Sequence, residues 1–101
     1  MKKREMSYED YEMTIEEVRQ VKDFCRNSNE EEKILIKNAL AELDPYIAPY
    51  VYYSLVNKMS YDEMYQKNII YKSKVDFYAD RRKGIESIKR WMILYGKWEL
   101  S

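Results

Sequence analysis

From Thr14 onward, apolar residues return at three- and four-residue steps. Ile15, Val18 and Val21, joined by Phe24 and Cys25, mark one face of an α-helix. Thr14 with Glu17 forms a capping box, in which hydroxyl and carboxylate satisfy the backbone N–H groups left free at a helix start. This helix is predicted to stop near Asn27. Ser28 or Asn29 caps a second one, with Glu30, Glu31 and Glu32 in its first turn, where the helix dipole favours negative charge. Ile34, Leu35, Ile36, Ala39, Leu40 and Leu43 give this second helix a broad apolar stripe. Asp44-Pro45 ends it and can also open a third, Asp as cap and Pro at the first helical position. Pro49 would sit awkwardly inside that third helix and moves its start toward Ala48. The segment "YVYYSLVNKM" carries it to about Lys58.

Two further helices follow. Ser60 and Glu63 make another capping box and open a short helix over about 60–67. Ser73 opens the last, with Asp76 at its third position. Val75, Tyr78, Ile85, Ile88, Met92 and Tyr95 then recur at helical spacing, predicting a helix from Lys74 to about Tyr95. Gly84 weakens it by roughly 1 kcal/mol relative to Ala. Nothing reads as a strand, and two glycines with two prolines are too few for the turns of an all-β fold. The expected fold class is therefore all-α: about five helices, with a helix-turn-helix near the C-terminus and a long last helix. We expect one domain over 1–101, with 1–13 frayed or adding a helical turn.

Composition narrows the function classes. At 46% hydrophobic and 36% charged residues, the chain is apolar enough to fold and polar enough to dissolve. No apolar run approaches membrane-spanning length, and the start "MKKREMSYEDYEM" offers no stretch for a signal peptide. The expectation is a cytoplasmic protein in a bacterial host, with Cys25 a reduced thiol. Histidine is absent, which removes the commonest general base and metal ligand. Gly84 and Gly96 are isolated, so no phosphate loop exists. An enzyme is not expected, nor a cofactor or metal.

Net charge is zero, yet residues 1–71 sum to −4 and residues 72–101 to +4. Such asymmetry lets one face be basic while another stays acidic. The basic part begins where two capped helices, 60–90, have the form of a helix-turn-helix. Met64, Ile70, Val75 and Tyr78 are placed to clamp that pair. The outer surface is then drawn from Tyr71, Lys72, Ser73, Lys74, Asp76, Phe77, Asp80, Arg81, Arg82 and Lys83. Lys72 and Lys74 flank a helix N-terminus that attracts phosphate, and Ser73 can cap it and touch one. Phe77 could contact a thymine methyl, Arg81 a guanine edge or the backbone, and Asp76 a cytosine amino group. Arg82 falls nearer the apolar side.

These residues also carry a resemblance. "LVNKMSYDEMYQKNIIYKSKVDFYADRRKGIESI" resembles the helix-turn-helix of sigma-factor region 4, and more closely the phage transcriptional regulators of the RinA and ArpU type. The matching features are Leu55, Ser60-Tyr61-Asp62-Glu63-Met64, Val75, Phe77-Tyr78 and Arg81-Arg82-Lys83 before Ile85. The step from Met64 to Val75 equals the family's step between core positions. Tyr65 stands where the family usually has alanine, and Ile69 where its turn has glycine; Asn68 is then best suited to the left-handed turn position. The resemblance implies a phage- or mobile-element protein that binds double-stranded DNA and regulates transcription, with RNA polymerase as a further partner. A DNA-packaging or conjugative-transfer accessory protein would use the same unit. A helical adaptor without DNA binding would use the C-terminal segment instead. There Trp91, Leu94, Tyr95 and Trp98 point all round a helix, so either the amino-terminal helices enclose them or a homodimer shares them.

Overall fold

The computed structural model describes residues 11–67, 69–70 and 73–98. They form five helices: α1 (Ile15–Arg26), α2 (Glu30–Leu40), α3 (Ala48–Val56), α4 (Tyr61–Gln66) and α5 (Lys74–Leu94). No strand occurs among them. The fold is all-α, with a long last helix.

Serine, threonine and asparagine set the helix starts. Thr14 Oγ1 accepts from Glu17 N at 3.2 Å while Glu17 Oε1 accepts from Thr14 N at 2.9 Å, closing the expected box. Asn29, rather than Ser28, does the same for α2 with Glu32. Ser60 and Glu63 cap α4. Ser73 accepts from Asp76 N at the head of α5. α3 lacks a side-chain cap and begins at Ala48, which leaves Pro49 in the first turn, where its missing N–H costs nothing. Asp44 caps no helix; its carboxylate accepts from Tyr46 N within the preceding turn. Two helices end by the same device. Ile69 N donates to Met64 O at 2.9 Å, and Lys97 N to Met92 O at 2.7 Å, each reaching back five residues over the helix end. At the second, Gly96 takes the left-handed conformation (φ 70°) this reversal needs. The conformation expected of Asn68 at the first lies outside the described residues.

α5 is the axle of the packing. Its buried Ile85, Ile88 and Met92 meet a core built from Val21 and Cys25 of α1, Ile36, Ala39 and Leu40 of α2, and Val51 and Leu55 of α3. Gly84 is not a weak point in it. A Cβ there would lie 2.8 Å from Leu40 Cδ2 and 3.1 Å from Val51 Cγ1, so glycine is what lets α2 and α3 approach. Ser87 is buried and donates to Ala39 O at 2.7 Å, tying α5 to α2. Lys89 Nζ meets Glu17 Oε2 at 2.8 Å and ties α5 to α1. Burial pushes the Cys25 thiol up to about 12, so it stays protonated and inert at neutral pH. Ile34, expected on the apolar stripe, is instead exposed; Leu35 and Ile36 take the inward positions.

Candidate nucleic-acid interface

α4 and the head of α5 pack through aromatic and aliphatic side chains. Tyr61 and Phe77 lie 5.7 Å apart between ring centroids, and Phe77 meets the edge of Tyr78 at 5.1 Å. Met64 and Ile70, fully buried, close the same seam, as the sequence suggests. Val75 does not. It is 60% exposed, whereas Phe77 is 0% exposed. The expected roles of these two are therefore exchanged: Phe77 is the clamp and cannot reach a thymine methyl, and Val75 is the outward apolar side chain. The reason is register, because α4 approaches α5 two positions later than the Met64–Val75 step requires. That step joins a core residue to a surface one.

The other named positions divide into three groups. Tyr71 and Lys72 lie outside the described residues. Ser73, Lys74 and Asp76 are exposed at the start of α5, but the charge there is balanced: Lys74 Nζ stands 3.8 Å from Asp62 Oδ1, with Glu63 exposed beside it on α4. Further along, Asp80 and Arg81 are half-buried instead of standing on the outer face. Arg81 Nε donates to Ser54 Oγ of α3 at 3.0 Å, and its guanidinium lies over the Tyr78 ring at 5.8 Å. Arg82 is half-buried, as its place near the apolar side implied, and Lys83 is exposed.

A positive region thus gathers beyond the first turn of α5, at its seam with α1. The two helices run antiparallel: Glu17 pairs with Lys89 near one end, while Arg81 acts on Cys25 and Lys22 near the other. Burial, then Arg81, Arg26 and Arg19, hold the Lys22 ammonium below the usual lysine range. Sequence reasoning singled out none of Ser54, Arg19, Lys22 or Arg26. The stripe 19, 22, 26 is visible in the chain, but its meeting with Arg81 depends on how α1 docks.

Other places offer less chemistry. No cluster of three or more His, Cys, Asp or Glu among the described residues could hold a metal ion. A groove of about 500 Å³ between α2 and α3, lined by Leu40, Leu43, Pro45, Ala48, Tyr52 and Tyr53, adds only the cation Lys37 to its tyrosines and apolar groups. No described helix is long and apolar enough to cross a membrane. At the far end of α5, Trp91 Nε1 donates to Glu42 at 3.0 Å and stacks on Tyr95, and Lys89 lies over Trp98. Those two tryptophans are half-buried, while Leu94 and Tyr95 remain exposed. Comparison with protein-family models, curated proteins and solved structures returns no match.

Proposed function

We propose that this chain is a double-stranded-DNA-binding protein that uses α4 and α5 as a helix-turn-helix, and that it regulates transcription in a phage or other mobile element. The observation that supports the reading is the short α4, seated by Tyr61 and Met64 against Phe77, with Ser73, Lys74, Val75 and Asp76 of α5 left open to solvent. Seating a short first helix on the base of a second, whose first turns stay uncovered, is what groove reading demands. Ser73 and Lys74 would then meet phosphate. Val75 and Asp76 would lie nearest the bases, with Val75 supplying the apolar contact to a thymine methyl. Arg81, Arg82 and Lys83 would follow along the backbone.

Regulation is favoured over packaging or transfer by the resemblance alone. RNA polymerase, as a partner, rests on the same footing. The exposed Leu94 and Tyr95 suit a homodimer, which would present two reading units to a two-fold site.

The test is duplex binding by fluorescence anisotropy. Wild-type protein is expected to bind a random duplex with strongly salt-dependent affinity and a selected site more tightly. Lys74→Ala combined with Lys83→Ala should weaken both, with helicity unchanged. No binding of any duplex at protein concentrations well above ~100 μM, the weak end of non-specific affinity, rejects the reading.

A further inference from the structure

We infer that α1 is a second DNA-contacting element: Arg19, Lys22 and Arg26, meeting Arg81 at the α1–α5 seam, hold duplex phosphates beside those met by the start of α5. This inference rests on the duplex-binding reading and adds to it a surface on a different helix.

Geometry carries it. Residues 19, 22 and 26 fall at steps of three and four, so they share one stripe of α1. At about 1.5 Å rise per residue, the stripe covers roughly 10 Å, matching about three phosphates at ~3.4 Å of helix axis per strand. Arg19 and Arg26 are exposed and Lys22 is half-buried against the seam. The hydrogen bond to Ser54 fixes Arg81 between α5 and α3, and α1 packs against both.

Charge pairing elsewhere in the fold sharpens the contrast. Lys89 has Glu17, Arg90 has Glu42 and Glu86, and Lys33 has Glu30, all within 3.4 Å. Among the described residues, no carboxylate pairs with Arg19, Lys22 or Arg26, although Glu16 and Asp23 lie on the same helix. Burial and the positive charges of Arg81, Arg26 and Arg19 together disfavour the Lys22 ammonium here. A bound polyanion would offset those charges, and neutralising each phosphate also releases its condensed counterions. A random chain of phosphates does not need bases to be read, so this surface adds affinity rather than sequence choice.

The experiment compares wild type, an Arg19→Gln/Lys22→Gln/Arg26→Gln variant and the Lys74→Ala/Lys83→Ala variant on one fluorescent duplex of about 30 base pairs, from ~50 to ~200 mM salt. The α1 variant should fold, with an unchanged or raised melting temperature, since crowded charge has been removed. Its slope of log affinity against log salt should fall by about 2–3, at ~0.9 per lost phosphate contact, with affinity at least tenfold lower at the low-salt end. An Arg19→Lys/Arg26→Lys variant should keep most of the slope. If wild type binds duplex and the α1 variant matches it in slope and affinity, this inference is overturned while the α4–α5 reading stands. Should wild type bind no duplex but bind vesicles of anionic phospholipid, both are overturned and the basic surface belongs to a membrane.

Discussion

Arg81 of α5 donates from Nε to Ser54 Oγ of α3 at 3.0 Å, across 27 residues of sequence. The bond orients a guanidinium that also stacks on Tyr78, and it leaves the two terminal nitrogens to meet an anion. Ser54→Ala removes the anchor but keeps the charge. We expect it to lower stability by about 1 kcal/mol and duplex affinity several-fold. Arg81→Ala should cost more affinity, because the charge itself is lost, yet little more stability, since Lys22 is relieved of its largest charge repulsion. Arg81→Lys is the informative case. It retains the charge without the planar fork, so it should resemble Ser54→Ala in binding. Thermal melts and anisotropy titrations of the three variants check the order.

Gly84→Ala pits helix propensity against packing. Alanine in a helix interior gains about 1 kcal/mol over glycine. Here the new methyl would meet Leu40, Val51 and Leu43 at 2.8, 3.1 and 3.3 Å, all three buried in the core. Overpacking of this kind costs about 1–3 kcal/mol, so the net effect should be destabilising. Gly84→Val should be worse, and Leu40→Ala combined with Gly84→Ala should recover part of the Gly84→Ala loss. A higher melting temperature for Gly84→Ala alone would mean that the helices give way easily.

The contrast between Gly84 and Ser73 shows what was legible in the chain. Capping boxes are local: Thr14, Ser60 and Ser73 reach only three residues ahead, so the helix starts could be read before any packing was known. Four of the five helices, the long α5 among them, follow from such caps and the 3.6-residue period, whereas α3 starts without one, at Ala48-Pro49. Gly84, by contrast, is judged by side chains more than thirty residues away. The Val75 and Phe77 exchange fails for the same reason, since both fit an apolar stripe and only the angle at which α4 docks chooses between them. The basic seam was illegible in a stricter sense. It joins α1 to α5, and no spacing in the sequence reports that meeting.

Acid should loosen α5 from its neighbours. The hydrogen bond from Lys89, then that from the Thr14 backbone, holds the Glu17 carboxyl below its usual value of 4.5. Hydrogen bonds from Arg90 and Trp91 do the same for Glu42. Both shifts are downward, so each carboxylate's contribution is complete above the unfolded value and is lost as pH falls through the lower folded one. Stability should therefore decline from about pH 4.5 downward, and Glu17→Gln with Glu42→Gln should flatten that decline. The pair tethers α5 to α1 and to the turn that follows α2, so the double variant should also start from a lower melting temperature at pH 7. Urea melts across the acid range measure both effects.

The last turn of α5 ends in apolar groups that the other described residues leave uncovered: Leu94 is 72% exposed and Tyr95 59%, just beyond the packed Met92. Trp91, held by Glu42 and stacked on Tyr95, stiffens that surface, which lowers the entropy lost when a partner covers it. In the homodimer reading these residues meet their own copies about a two-fold axis, so a charge introduced at one meets the same charge on the other. Leu94→Glu should therefore convert a dimer to a monomer by sedimentation velocity. The monomer's melting temperature should become independent of concentration, since the substitution touches no core contact. Affinity for a single half-site should be unchanged, whereas affinity for a two-fold site should drop by a factor of ten or more as the second reading unit is lost. Wild type sedimenting as a monomer at high concentration would remove the dimer and leave α5 to read DNA alone.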